Sequence, residues 1–172
     1  MTETNEKLEQ NIPEKKVLGV IIATLNGVPL VSVKVDEKDE KINEHLIAPF
    51  FSALSTYSEE NLASLNETLI KGGKVETLIV KKHGLILIAL MDKNMKKVKI
   101  AVEAEEALDL FYEMFKNELE DFDKTCVNLD IFDKFKKLLK KQIDEYYQKI
   151  EKDSGFFSRL LNLFRDKKGE LR

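Results

Sequence analysis

Residues 17–35 have the sequence VLGVIIATLNGVPLVSVKV. The part up to Leu25 is almost entirely apolar, which is typical of an interior strand that is covered on both faces. After Asn26-Gly27, valines alternate with polar residues, and this predicts an edge strand with one solvated face. An Asn-Gly pair between two apolar runs favours a type I′ hairpin, because both central residues of that turn need positive φ. We therefore expect two adjacent antiparallel strands.

A helical pattern follows the hairpin. Pro49 interrupts its first part, which predicts either a kink or a helix that begins at the proline, because an interior proline lacks an amide donor. In both cases we expect Phe50 and Phe51 to be buried. The apolar residues that recur at helical spacing are Ile42, Leu46, Ile47, Phe50, Phe51, Leu54 and Tyr57.

The pattern returns to strands at Gly72-Gly73. Short links divide the next stretch into three predicted antiparallel strands, at residues 75–82, 85–91 and 97–102. The middle strand is apolar on both faces, so helices must cover both sides of the sheet.

Two amphipathic helices follow, with a break predicted at residues 123–128. The first has an apolar stripe formed by Ala104, Ala107, Leu108, Phe111, Phe115, Leu119 and Phe122. The second has a stripe formed by Phe132, Phe135, Leu139, Ile143, Tyr146 and Ile150. The sequence therefore predicts an α/β fold of the α+β type, with a five-stranded, mainly antiparallel sheet, the order β-β-α-β-β-β-α-α, and helices on both faces.

The composition is that of an ordinary globular protein. Of the 172 residues, 43% are hydrophobic, which is enough for one sizeable core. The formal net charge is −3, with 28 basic and 31 acidic residues, so a nucleic-acid partner is not expected. Cys126 is the only cysteine, which excludes an intramolecular disulfide and a cysteine-based zinc site. A single cysteine also indicates a reducing compartment, and we expect a cytoplasmic protein.

Neither secretion nor a membrane span is expected. Residues 1–16 lack the apolar segment of a secretory signal, and no stretch approaches the roughly 20 apolar residues that a membrane span requires. We expect a flexible arm at residues 1–15, a domain at residues 16–152 and an amphipathic helical tail at residues 153–172.

The tail follows Ser154, a residue type that favours helix N-caps. Because so many of its residues are apolar, we expect it to contact the domain core, a partner or a membrane surface. The candidate contact residues are Phe156, Phe157, Arg159, Leu160, Leu161, Phe164 and Arg165.

No group of residues has the spacing of a catalytic, cofactor or metal site. His45, His83 and Cys126 have no sequence cue that places a catalytic partner beside them. Residues 72–74, with the sequence GGK, lack the rest of a phosphate loop and predict a plain turn.

Two charged runs lie in the last helices. The lysines of residues 134–141 surround an apolar stripe, which is typical of a solvated helix face, and contact with anionic lipid is the alternative. An acidic run indicates the first turn of a helix, where carboxylates complement the helix dipole. This run consists of Glu103, Glu105, Glu106 and Asp109.

The order of elements resembles the longin fold, a relative of the roadblock and profilin-like domains, over residues 17 to about 150. Local sequences are also similar to archaeal longin and roadblock-like proteins. They are LGVI and NGVPL at residues 18–21 and 26–30, FFSALS and YSEE at 50–55 and 57–60, and GGKVE at 72–76. None of them is a catalytic signature, so the resemblance implies a fold first and a function by analogy.

The resemblance implies a non-enzymatic interaction module. Longin and roadblock domains typically pair with each other, often across an edge strand and a neighbouring helix, and serve as platforms or regulators of small Ras-like GTPases. We therefore expect a homodimer, or a heterodimer with another longin or roadblock subunit, with a small GTPase or trafficking-type complex as partner. Peripheral membrane contact is expected, and no cofactor. The alternative is a small-molecule-sensing profilin-like domain, marked by a closed apolar cavity between Phe50, Phe51 and the sheet.

Overall fold

The computed structural model describes residues 17–35, 42–61, 66–93, 97–122 and 127–148. Five strands and three α-helices occur in this part of the chain, in the predicted order β-β-α-β-β-β-α-α. They are β1 (Val17–Thr24), β2 (Pro29–Lys34), α1 (Glu44–Asn61), β3 (Glu67–Lys71), β4 (Val75–Lys82), β5 (Leu85–Asp92), α2 (Lys97–Glu120) and α3 (Asp133–Gln148), with a 3₁₀ helix (Leu129–Phe132) directly before α3. The predicted fold class is confirmed.

The strands form one antiparallel sheet in the order β2-β1-β5-β4-β3. β1 pairs with both β2 and β5, so that Ile21 lies opposite Ser32 on one side and Ile88 on the other. β4 pairs with β5 and with β3. This order makes β2 and β3 the two edges, and it confirms that β2 is an edge strand beside β1.

The sheet has an apolar layer on each face. In β1, Val20 and Ile22 belong to one layer, whereas Ile21 and Ala23 belong to the other. The first layer is covered by α2, the 3₁₀ helix and α3, and the second by α1. Because interior strands that are apolar on both sides need a helix layer on each, this arrangement is the one that the sequence predicts.

The hairpin between β1 and β2 is confirmed, but the predicted type I′ turn is wrong. Gly27 has a φ of 83°, whereas His83 alone has positive φ among the described non-glycine residues. The Gly27 amide donates to the Thr24 carbonyl at 2.9 Å, and the Val28 amide donates to the Thr24 hydroxyl at 3.1 Å. A turn with positive φ at both central residues joins β4 to β5 instead, at His83 (56°) and Gly84 (71°).

The prediction of a strand at residues 97–102 is wrong, because these residues begin α2. An alternation of apolar residues over so short a segment also fits a helix, in which residues four apart share a face. Ile100 and Ala104 are buried on that face, whereas Val102 is 54% exposed. The sheet still has five strands because β3, which was not predicted, precedes the Gly72-Gly73 turn.

α1 begins at Glu44 and continues through Pro49, so the prediction of a helix that begins at the proline is wrong. The Asn43 side chain caps the N-terminus by accepting a hydrogen bond from a first-turn amide at 3.1 Å. Phe51 is buried as predicted, but Phe50 is 62% exposed. Adjacent helical residues project about 100° apart, so only one of the two rings faces the sheet.

The apolar stripes predicted for the last two helices are confirmed as far as the description extends. Ala104, Ala107, Leu108, Phe111 and Phe115 are buried in α2. Phe132, Phe135 and Leu139 are buried at the 3₁₀ helix and α3. The predicted arm at residues 1–15 and the tail at residues 153–172 lie outside the described residues. Within the described ranges, no helix combines the length and the apolar character that a membrane crossing needs.

Candidate partner interface

A stripe of apolar side chains on α1 faces away from the sheet. Leu46, Phe50, Ala53 and Tyr57 are spaced so that they lie on one side of the helix. Leu46 is 71% exposed, Phe50 62% and Tyr57 58%. Because contiguous exposed apolar side chains mark interaction sites, this set, the α1 stripe, is a candidate partner surface.

The middle of α1 carries no charged side chain, since residues 46–58 contain neither acids nor bases. The charges lie towards the ends, where Glu44 pairs with Lys34 at 3.3 Å and Glu59 pairs with Lys81. Burial raises the pKa of Glu44, but backbone hydrogen bonding and the Lys34 ammonium outweigh that effect, so the pKa lies below its usual value. The α1 stripe therefore offers an apolar contact surface with ionic contacts only at its margins.

The turn between β1 and β2 holds α1 in place. A Cβ atom on Gly27 would lie 2.7 Å from the Cα atom of Pro49, so the two backbones pack without a side chain between them. The Ser52 hydroxyl donates a hydrogen bond to the Leu25 carbonyl, and the Phe51 ring packs into the apolar layer beneath. The α1 stripe is thus presented by a fixed helix rather than by a loop.

The outer edge of β3 is a second exposed surface. The Asn66 carbonyl accepts a hydrogen bond from the Lys81 amide of β4 at 2.8 Å. Because backbone groups alternate in direction along an antiparallel strand, the peptide groups of Glu67, Leu69 and Lys71 face away from β4. In the described part of the chain, no strand pairs with this edge.

A narrow cleft of about 10 Å³, room for about one water molecule, lies between the C-terminal half of α1 and strands β3 and β4. Its lining residues are Phe51, Leu54, Ser55, Ser58, Asn66, Thr68, Ile79 and Lys81. Ligand pockets commonly have volumes of roughly 300–1,000 Å³ and enclose most of the ligand surface. Phe50 points away from this cleft, so the described residues do not form the closed cavity between Phe50, Phe51 and the sheet that a small-molecule sensor would need.

His83 fixes the β4–β5 turn to α2. Its Nε2 atom lies 2.6 Å from Asp109 Oδ1, and its ring stacks on Tyr112 with centroids 4.5 Å apart. Lys82 donates to Asp109 Oδ2 at 2.8 Å, and this bond raises the pKa of Lys82. Burial raises the pKa of Asp109, but its hydrogen bonds from Lys82 and His83 outweigh burial and lower it. These contacts stabilise the left-handed conformation of His83 and bring no nucleophile to it, so we interpret the cluster as structural.

The other predicted candidates are not brought together. His45 is exposed on α1, and residues 72–74 lie at the turn between β3 and β4, as predicted. The acidic run lies beyond the first turn of α2, which begins at Lys97, so its first-turn interpretation is wrong; Glu103 is buried there. Among the described residues, no cluster of potential metal ligands occurs. Cys126 and all the tail candidates lie outside the description.

Pairing across an edge strand was expected from the sequence, but neither β3, the strand that forms this edge, nor the α1 stripe was predicted. Seven apolar residues from Ile42 to Tyr57 were assigned to one helix face, although they cover more of the helix circumference than the sheet can bury. Ile47, Phe51 and Leu54 pack against the sheet, and the surplus forms the α1 stripe. That surplus is the signal from which the stripe could have been predicted.

Solved structures with a similar fold include roadblock and MglB proteins. The Roadblock/LC7 domain from Streptomyces avermitilis is 9% identical, covering 61% of this chain and 87% of that chain with a TM-score of 0.47. Myxococcus xanthus MglB is 13% identical, covering 59% and 85% with a TM-score of 0.48. The gliding protein MglB of Thermus thermophilus is 11% identical, with a TM-score of 0.41; the alignment covers 45% of this chain and 62% of that one, less than two thirds of its length.

No protein-family model matches the chain, and no curated protein sequence matches it.

Proposed function

We propose that this chain is a non-catalytic longin- and roadblock-like interaction module that dimerises and regulates or scaffolds a small Ras-like GTPase at the cytoplasmic face of a membrane. The α1 stripe is the observation that supports this most, because three large apolar side chains remain mostly exposed on a helix whose other face is well packed. The GTPase, as a class of partner, is taken from the resemblance of the sequence.

The outer edge of β3 suits a second copy of this chain. In antiparallel pairing about a two-fold axis at Leu69, Glu67 of each copy lies opposite Lys71 of the other. Both side chains are exposed, and neither has an ion-pair partner among the described residues. The outward peptide groups of Leu69 then pair with those of Leu69 in the other copy, and those of Glu67 pair with those of Lys71. Opposite charges across two strands contribute about 0.2–1 kcal/mol per pair.

The N-terminal half of the α1 stripe suits the GTPase. It lies on a face of the sheet rather than at the edge, so it stays accessible when β3 pairs with a second copy. Leu46 and Phe50 are the expected anchors, since large apolar side chains that become fully covered contribute most to an interface.

The tail, residues 153–172, is proposed to hold the module at the membrane. Its sequence combines large apolar residues with Arg159 and Arg165, a composition that favours a helix in the plane of the membrane surface.

Charge exchange on β3 tests the dimer. Glu67→Lys and Lys71→Glu each create two like-charged pairs across the axis, so each variant alone should self-associate about tenfold more weakly. An equimolar mixture of the two variants restores opposite charges and should recover the wild-type affinity in light scattering. A mixture that associates no better than either variant would contradict pairing through β3.

Binding to the small GTPases encoded in the same genome, each loaded with GDP or with a GTP analogue, tests the regulatory role. At least one should bind, and Leu46→Ala with Phe50→Ala should weaken that binding. If none binds in either nucleotide state, the GTPase role is wrong, and the dimer is still tested separately by charge exchange.

A further inference from the structure

The outer surface of α3 is unusually basic for this chain. Each residue from 134 to 141, with the sequence KFKKLLKK, is either lysine or apolar. Phe135 and Leu139 are fully buried against the sheet, and Leu138 is partly buried. Lysines therefore make up the whole polar surface of these two turns, with no acid among them. We call Lys134, Lys136, Lys137, Lys140 and Lys141 the lysine face.

Part of the lysine face is not neutralised by the protein. Some lysines elsewhere in the fold pair with acids, as Lys34 does with Glu44 and Lys116 with Glu120. Lys134, Lys136 and Lys137 have no ion-pair partner in the ranges that the structure describes. Five lysines within eight residues, in a chain with a net charge of −3, concentrate positive charge on one side of the molecule.

The lysine face points away from the surfaces assigned to protein partners. α3 packs over β2 on the face of the sheet opposite to α1. The α1 stripe and the lysine face therefore lie on opposite sides of the domain, and each can be occupied while the other is bound.

We propose that the lysine face binds the surface of an anionic membrane. Every cation in it is a lysine, which acts as a point charge on a flexible stem and suits a diffuse field better than the planar, two-bonded contacts that arginine makes. Phe135 and Leu139, on the apolar side of these two turns, are already used in the core, so the contact of the lysine face is electrostatic and does not involve their insertion. The inference rests on the proposed function only for the membrane location, and it does not depend on the GTPase.

The lysine face and the tail would act together. The tail follows α3 closely in the sequence, so contact of both with one membrane would combine two weak affinities. Stable attachment generally needs two weak signals, such as an inserted segment and a basic patch. Contact through α3 would also orient the domain so that the α1 stripe faces the cytoplasm.

Vesicle co-sedimentation of the full chain tests the inference, with phosphatidylcholine vesicles that contain or lack phosphatidylserine. Each lysine near an anionic surface changes partitioning about fivefold, so Lys134→Gln with Lys137→Gln should weaken binding roughly 25-fold at a salt concentration of about 0.1 M. The matched control is Lys74→Gln with Lys93→Gln, which removes the same charge from two exposed sites, one on the turn before β4 and one directly after β5. At about 0.1 M salt the Debye length is only about 10 Å, so the control, whose lysines lie outside α3, should change binding less than about threefold.

Three results would overturn the inference. Wild-type protein that does not bind the phosphatidylserine vesicles at low salt has no such surface. Equal losses in the α3 variant and in the control would show a general charge effect. Binding that is unchanged in the α3 variant but is lost with Phe157→Glu and Leu161→Glu would assign attachment to the tail alone. GTPase binding and self-association, measured on the same preparations, report on the proposed function independently.

Discussion

Two adjacent phenylalanines on α1 should respond very differently to truncation. Phe51 is 8% exposed, whereas Phe50 is 62% exposed. A phenylalanine buries up to about 200 Å², so Phe50 has roughly 75 Å² covered in the isolated domain, which at about 25 cal/mol per Å² is worth at most about 2 kcal/mol. Phe51→Ala should cost about 3–5 kcal/mol of unfolding free energy, because it leaves a cavity in the core.

The effect of Phe50→Ala should instead appear in the affinity for the partner. The exposed part of Phe50, roughly 120 Å², represents about 3 kcal/mol if a partner covers it completely. Phe50→Ala should therefore weaken partner binding by up to about 100-fold while the domain remains folded. Urea unfolding monitored by circular dichroism measures the unfolding free energy. Titration calorimetry with the small GTPase that the wild type binds measures the affinity for the partner. A Phe50→Ala variant that is as unstable as Phe51→Ala, or one that binds its partner like the wild type, would refute this reasoning.

Further tests concern the turn, the ion pairs and the tail. Gly27→Ala should lower the unfolding free energy by more than about 1 kcal/mol in urea denaturation, because its positive φ and the nearby α1 backbone leave no room for a Cβ atom; Gly73→Ala, with open space around it, should change stability by less than about 0.5 kcal/mol. The pKa of Asp109 is lowered in the folded state, so its contribution is present above the unfolded pKa and is lost as the pH falls through the folded value. In thermal unfolding, the stability lost between neutral pH and pH 3 should therefore be smaller in Asp109→Asn than in the wild type, by up to about 1 kcal/mol. The difference is small because the Lys82–Asp109 ion pair is partly exposed. Phe157→Glu with Leu161→Glu should abolish salt-sensitive liposome binding and leave the melting temperature unchanged; a lowered melting temperature without any liposome binding by the wild type would mean that the tail packs on the core or on a second copy.

The interior strands were predictable because burial leaves a strong mark on their sequence. β1 and β5 are apolar on both faces, and a strand of that kind requires helices on both sides of the sheet. The stripes of α2 and α3 were predictable for the same reason, since long amphipathic helices repeat their period many times.

The elements that were misread carry weaker or shared signals. β3 has only five residues, of which three are partly buried and two are exposed, so its sequence shows little alternation. Residues 97–102 alternate as a strand would, but the helix period also fits them, and tertiary packing decides between the two. Asn26 does not adopt positive φ, because the position of the β1–β2 turn is set by its close contact with α1, which the local sequence does not encode. The α1 stripe could have been found by counting apolar residues against the width of one helix face.

Oxidative cross-linking across β3 tests the proposed dimer most directly. In a Cys126→Ser background, Leu69→Cys places two thiols across the axis, where paired Cα atoms lie about 5.5 Å apart, within the span of a disulfide. Lys34→Cys on the opposite edge, β2, is the matched control, because the Lys34 side chain is partly exposed. The proposed pairing predicts a disulfide-linked dimer from Leu69→Cys under mild oxidation and none from Lys34→Cys. No cross-link from Leu69→Cys, or equal cross-linking from both variants, would contradict it.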